Sequence, residues 1–225
     1  MGNKNVIAVM LKYPDAGAVK TRLAPAISSE DAAGLCRCFI VDTFANIAPV
    51  CSTDVFAAFT PTEAEQDVKD LVPPDVSLMA QEGHDLGSRL TRVFERLFDA
   101  GYSSVVVIGS DSPDIPAAYI EDAFAQLEGA GGRLVLGPAK DGGYYLVGMN
   151  GFLSAPFIDI PWSTASVLEA TLAAARAHSI AVTLLRRWHD IDEPDDMAVL
   201  VDNPRTPASA RYIQDRGILR QIKKG

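Results

Sequence analysis

No apolar run in the 225 residues approaches the roughly 20 needed to span a bilayer, so no membrane segment is expected. The start, MGNKNVIAVML, lacks the basic, apolar and small-residue order of a signal peptide. Val6 stands where a myristoylation motif has Ser or Thr. A cytoplasmic location is the expectation. Cysteine is scarce: Cys36, Cys38 and Cys51 form an odd, scattered set. Cys36 and Cys38 fall two apart in an expected helix and point to different faces, which favours buried free thiols over a disulfide or thiolate metal site. Positive charge is in deficit, with a formal net charge of −9. Such a chain is not drawn by its overall field to nucleic acid or to an anionic membrane, and neither is expected as a partner. An anionic ligand would need a local basic cluster. Internal repeats, low-complexity segments and linkers are missing too, so one domain over 1–225 is expected. Apolar helix faces do not report oligomeric state.

What is there alternates. VIAVML (6–11) reads as a buried strand. A helix is expected from Ser29 to Ile47, capped by Ser28 or Ser29, with Glu30 and Asp31 in its first turn and a stripe of Ala32, Leu35, Phe39, Thr43 and Ile47. DVFAAF (54–59) is a second strand, TEAEQDVKDLV a short polar helix, and VSLMA (76–80) a third strand. DLGSRLTRVFERLFDAG is an amphipathic helix striped by Leu86, Leu90, Val93, Phe94 and Leu97, with Gly101 after its end. SVVVI is a strand, and a helix follows with Pro116 at its first position. RLVLG and YYLVGM are strands, STASVLEATLAAARAH a helix, IAVTLL a strand. EPDDMAVLVDN and a segment near 207–216 are helical, and QIKKG is a solvated end. This order predicts a single-domain, three-layer α/β/α fold on a mainly parallel sheet. PAKDGG, between RLVLG and YYLVGM, is too short for a parallel crossover, so one antiparallel strand is expected and the sheet is mixed.

In open α/β sheets ligands bind beyond the carboxyl ends of the strands. The unusual polar residues gather there. After the first strand comes KYPDAGAVKTRLAP, with Gly17 and the cations Lys12, Lys20 and Arg22, suited to phosphate oxygens or to a solvated basic loop. No glycine precedes Lys20, so a P-loop is not expected. After SVVVI comes GSDSPDIP. Asp111 there suits Mg²⁺ or Mn²⁺, which takes one or two carboxylates plus substrate phosphates. Asp114 suits a helix cap. HDIDEPDD puts Asp190 and Asp192 on one side of an extended segment, where they repel unless a cation or proton intervenes. Asp192 could instead cap the next helix, and His189 reads as a neighbouring polar contact. DGGYY is a turn through Gly142 and Gly143, with Asp141 at its start. Asp85 and Arg89 are spaced for an ion pair. Ser163, after Trp162, suits a cap.

Six motifs occur in order: K-x-P-x-x-G-x-V-K-T-R-L (12–23), Q-x-G-x-D-L-G-x-R (81–89), G-S-D-S-P-D (109–114), G-P-A-x-D-G-G-Y-Y-L-x-G (137–148), W-S-T (162–164) and D-I-D-x-P-x-D (190–196). Together, and over nearly the whole chain, they resemble a bacterial glycosyltransferase-like family. That family is similar to the nucleotide-diphospho-sugar transferases of the GT-A fold, and more distantly to the guanylyltransferases of phospholactate and the molybdenum cofactor. The resemblance implies a nucleotide held by Lys12, Gly17, Lys20, Thr21, Arg22, Asp85, Arg89, Gly109, Ser110, Gly142 and Gly143. It implies a metal-binding aspartate at Asp111, with Asp190 or Asp192 as the second metal-proximal position. The first loop departs from the guanylyltransferases in lacking a G-x-G-type start. GSD (109–111) stands where a glycosyltransferase has D-x-D.

The expected chemistry is therefore metal-dependent transfer from a nucleotide-activated donor to a small-molecule acceptor. Glycosyl transfer from a nucleotide-sugar leads, with Asp111 and Lys20 stabilising the leaving group and Asp141 as acceptor base. Nucleotidyl transfer from an NTP with pyrophosphate release is the alternative. A nucleotide-binding regulator without turnover is the third reading.

Overall fold

Val6, Ile7, Ala8 and Val9 are all fully buried. A strand with no polar face must be covered on both sides, as in the centre of a parallel sheet. In the computed structural model, which describes residues 4–23, 26–129 and 131–222, these residues form β1 (Asn5–Lys12). It runs parallel to β2 (Thr53–Thr60) on one side and β4 (Ser104–Gly109) on the other. β3 (Ser77–Ala80), β5 (Arg133–Pro138), β6 (Tyr144–Met149) and β7 (Ala181–Leu184) complete the order β3-β2-β1-β4-β6-β5-β7. β6 alone is reversed, antiparallel to both β4 and β5. The short connection 139–143 forces that reversal, as its length requires. The chain reverses direction across the sheet at β1 and β4, so the loops that follow these two strands face each other over a crevice.

Helices cover both faces. α1 (Ser29–Ile47) is capped by Ser28, whose hydroxyl accepts from the Asp31 amide. α1, α2 (Glu65–Leu71) and α4 (Ala117–Gln126) pack on one face through residues such as Ile40, Val68 and Ile120. α3 (Leu86–Asp99) and α5 (Val167–Ala177) pack on the other. α3 buries Leu90, Val93, Phe94 and Leu97, each worth about 1.5–3 kcal/mol of burial. α6 (Ala198–Val201), α7 (Pro207–Asp215) and α8 (Ile218–Ile222) close over the outer end of α1. Buried Asp42 in α1 fastens α7, accepting from the Ala208 and Ser209 amides at 3.0 and 2.9 Å.

This third cluster also takes in Leu23, Ile27 and Ile191. Leu23 and Ile27 belong to the loop after β1, and Ile191 lies between two aspartates. The C-terminal helices thereby hold two polar segments in place by their apolar residues.

Several local readings need correcting. Leu86, the first residue of α3, is 44% exposed and stands outside the buried stripe. Pro116 is the N-cap of α4, not its first helical residue. Asp114 caps nothing: it is buried and accepts from Trp188 Nε1 and Asn203 Nδ2, with His189 Nε2 at 3.2 Å. Ser163 is not a cap, since α5 begins at Val167. EPDDMAVLVDN is split into a 3-10 turn at Pro194–Met197, capped by Glu193, and α6. Gln221 and Ile222 of the QIKKG end belong to α8; 223–225 lie outside the described residues.

Candidate active site

The Lys20 side chain is 5% exposed. Its Nζ lies 2.7 Å from Asp111 Oδ1 and 2.6 Å from Asp192 Oδ1. Three segments meet at that atom: the loop after β1, the loop after β4, and the stretch before the 3-10 turn. Burial alone would lower the ammonium's pKa, but Asp111 and Asp192 outweigh it and the pKa is raised. Lys20 adopts φ +46°, a left-handed conformation that costs a residue with a Cβ roughly 1–2 kcal/mol. Leu23 and Ile27 anchor the loop that imposes it.

Ile191 sets the two aspartates on either side of it. Its amide donates to the Asp111 carbonyl at 2.9 Å, and its side chain is fully buried. Asp192 meets Lys20. Asp190 accepts from Ser112 Oγ at 2.5 Å. Burial pushes Asp190 up to about 6, with Asp111, Asp141 and Asp192 adding to the rise and the Ser112 bond opposing it. The loop 110–116 is itself braced: Asn46 Nδ2 donates to Pro113 O at 2.7 Å and Arg205 Nε to Asp114 O at 2.8 Å.

A cavity of about 800 Å³ opens over these groups. It is lined by Lys12, Lys20, Thr21, Arg22, Gly109, Ser110, Asp111, Asp141, Gly143, Asp190 and Asp192 among the residues named from sequence. Lys12 Nζ donates to Ala18 O at 2.8 Å within the same loop. Gly17, Asp85, Arg89 and Gly142 do not line it. Asp85 caps α3 in a capping box with Ser88, and Arg89 Nε donates to Gly83 O at 3.1 Å. Gly142 has a packing role: at φ +93° its Cβ position lies 2.1 Å from Ala165 O. No side chain fits there, and the turn 141–143 seats against 163–165 as a result.

Other lining residues were outside the expected set. Gln81 Nε2 ties the ends of β1 and β2 through Leu11 O and Ala58 O at 3.1 and 2.7 Å. Trp162 meets Tyr144 edge-on at 6.4 Å between ring centroids. Gly87 admits the indole, since a Cβ there would lie 2.6 Å from Trp162 Nε1. The W-S-T motif marks this segment in the sequence, although Ser163 by residue type alone suits a cap. Ser163, at φ +63°, is a second left-handed residue on the cavity wall.

The donor set suits a hard cation. Asp111, Asp190 and Asp192 offer carboxylate oxygens in a cavity that Lys12 and Arg22 also line. Among the described residues no group of three or more His, Cys, Asp or Glu is arranged to hold a metal by itself.

The strand order, the single reversed strand and a charged cavity at the carboxyl edge define a nucleotide-diphospho-sugar transferase fold. The chain belongs to the family described as "Uncharacterized protein conserved in bacteria (DUF2064)", whose model matches residues 43–164. It is similar to a protein of Desulfovibrio desulfuricans G20 proposed as a nucleotide-diphospho-sugar transferase: 32% identity, 97% of each chain covered, TM-score 0.87. At 12% identity its fold also matches CMP:2-keto-3-deoxy-manno-octonic acid synthetase complexed with CTP, covering 94% of this chain and 99% of that one, TM-score 0.58. A 4-diphosphocytidyl-2C-methyl-D-erythritol synthase of Anaerococcus prevotii DSM 20548 matches at 9% identity, 94% and 97% coverage, TM-score 0.55. No curated protein matches the sequence. Among the described residues no helix is long and apolar enough to cross a membrane.

Proposed function

We propose that this chain transfers a glycosyl group from a nucleotide-diphospho-sugar to a small acceptor. The observation that carries the reading is Lys20, a buried ammonium held by two carboxylates from different loops at the crevice between β1 and β4. A nucleotide's phosphates are the natural third partner of such a cation. Lys12 and Arg22 line the same wall. The likeness to a protein proposed as a nucleotide-diphospho-sugar transferase supports the donor class.

In this reading Lys20 and Arg22 bind the departing nucleoside diphosphate and stabilise the charge it gains as the glycosidic bond breaks. Asp111 orients Lys20. Asp111 and Asp190 would hold a Mg²⁺ or Mn²⁺ ion, with Asp192 committed to Lys20; when bound, the ion neutralises phosphate charge. Asp141 lines the cavity on the β5–β6 turn, its Oδ1 fixed by the Gly143 amide at 2.9 Å. From there it accepts the acceptor hydroxyl proton in an inverting transfer.

Nucleotidyl transfer is the second reading. The gathering of Lys12, Lys20 and Arg22 on one loop favours it, since such a loop also suits a transferring phosphoryl group.

The test is incubation with a panel of nucleotide-sugars and NTPs, with Mg²⁺ or Mn²⁺, monitoring thermal stability and released product. A bound donor at 100 times its dissociation constant adds about 2.7 kcal/mol of stability. Free nucleoside diphosphate, lost in Asp111→Ala, supports glycosyl transfer. Pyrophosphate moves the assignment to nucleotidyl transfer. Binding that survives Asp111→Ala without turnover points to a nucleotide-sensing regulator, and no stabilisation by any nucleotide overturns the donor class itself.

A further inference from the structure

The cavity has two unlike walls. Its cations come from the end of β1 and the loop after it: among the described residues, Lys12, Lys20 and Arg22 are the lysines and arginines that line it. Lys20 lies 5.7 Å from the Phe39 ring of α1, so this wall belongs to the α1 face of the sheet. The opposite wall comes from α3, the start of β6 and the approach to α5. Leu86, Leu90, Tyr144, Trp162 and Val167 form it. All but Leu86 pack with the apolar cluster under α3, or at the start of α5 beside it. Among the described residues that wall carries no lysine, arginine or histidine. Arg89, although on α3, is turned to the Gly83 carbonyl and does not line the cavity.

Between the walls lie carboxylates. Asp141 comes from the turn seated against Ala165, and it lines the same cavity as Asp111, Asp190 and Asp192. An anion entering on the Trp162 side would lose its hydration without gaining a cation, and would face like charge. A neutral molecule meets no such barrier. Trp162 and Tyr144 offer it a broad apolar face, and the Ser163 and Thr164 segment beside them offers polar edges. Aromatic walls with few, convergent polar groups are the pattern of small-molecule sites.

We infer that the acceptor of this enzyme is uncharged: a hydroxylated molecule with an apolar face that lies on Trp162, and not a phosphorylated or carboxylated one. The inference rests on the reading of the cationic wall as the donor site. In the transfer, the acceptor oxygen bonds to the sugar carbon, its proton passes to Asp141, and the sugar–phosphate bond breaks with its electron pair leaving on the nucleoside diphosphate.

The test uses two probes that share a phenyl ring and a pyranose. Phenyl β-D-glucopyranoside is neutral; phenyl β-D-glucuronide replaces its hydroxymethyl group with a carboxylate. Each is titrated into the full chain, without nucleotide, by calorimetry. The glucoside is expected to bind at least tenfold tighter. Trp162→Ala is expected to weaken it at least tenfold, while Trp162→Phe, which keeps a ring, retains most of the affinity. Asp141→Asn is expected to narrow the gap between the probes. Equal or tighter binding of the glucuronide, no binding of either probe, or full glucoside affinity in a folded Trp162→Ala overturns the inference. A loss in Trp162→Ala with an unchanged unfolding midpoint separates lost contact from lost fold. The nucleotide panel can fail while these probes still discriminate, so the two readings fall separately.

Discussion

Lys20 Nζ and Asp111 Oδ1 lie 2.7 Å apart across 91 residues of sequence, joining the loops that follow β1 and β4. One partner is buried and the other is 56% exposed. Lys20 is thus a fixed charge in the cavity lining, and Asp111 is its more solvent-exposed partner. Lys20→Met leaves Asp111 and Asp192 without their shared cation. Turnover is expected to fall about 100-fold or more, the loss typical of a removed electrostatic contact. Stability is expected to fall by about 1–2 kcal/mol, below the 3–5 of a fully buried pair because the aspartates stay partly solvated. Steady-state kinetics and urea unfolding check the two numbers.

Ile191 touches the cavity with neither of its ends, yet it sets both aspartates beside it. Ile191→Ala is expected to cost about 2–5 kcal/mol through the void left among the C-terminal helices. It should also weaken the metal-dependent thermal shift given by a nucleotide, since Asp190 and Asp192 lose their register. Ile191→Val, which nearly fills the space, should recover most of both. Recovery of stability without recovery of the shift would show that side-chain volume does not set the aspartates.

The two glycines of the β5–β6 turn should respond differently. Gly142→Ala places a methyl 2.1 Å from Ala165 O at φ +93°. Strain of about 1–2 kcal/mol adds to a backbone clash that nothing flexible can relieve. Gly143→Ala meets the Asp141 carboxylate at 3.3 Å, with no unusual φ. Urea unfolding is expected to show Gly142→Ala less stable by about 3 kcal/mol or more and Gly143→Ala within about 1 kcal/mol of the parent. Similar values for the two would mean that the turn does not depend on its seat against Ala165.

Asp114 links acid stability to the brace behind the site. Burial raises its pKa, but the His189 contact, the Trp188 bond and Arg205 together outweigh burial and hold the carboxyl below its ordinary value. A carboxyl depressed in the folded state contributes stability that is full above the unfolded pKa, near 4, and is lost as pH falls through the folded one. Asp114→Asn is expected to cost about 3 kcal/mol at pH 7, as the loss of a buried charged partner does. The gap to the parent should close as pH falls below about 4. Urea midpoints across that range test it, with Trp188 fluorescence as a local reporter. A gap independent of pH would assign Asp114 a packing role alone.

Much of the architecture was legible in the residues. The unbroken apolar run 6–11 can only lie in the middle of a covered sheet. Ser28 before an acidic turn marks the start of α1. The short PAKDGG connection forbids a parallel crossover, and β6 is reversed. Polar residues after β1 and β4 point to the edge where the cavity opens. Local signals failed where one side chain had two uses. Asp114 and Asp192 both suit a cap by type, and distant partners claimed them instead: Trp188, His189 and Asn203 for the first, Lys20 for the second. Ser163 also suits a cap, but a left-handed backbone placed it on the cavity wall.

Period, turn length and capping chemistry act within a few residues, so the sequence alone determined the elements, their order and the edge on which a ligand would lie. The partners of Lys20 come from positions 111 and 192, and Trp162 rests where Gly87 leaves room. Which charges are shared, which carboxylate stays unpaired and which wall lacks a cation were decided only by tertiary structure. Those outcomes depend on distances between segments far apart in the chain, and those distances are set by how the helices pack on the sheet.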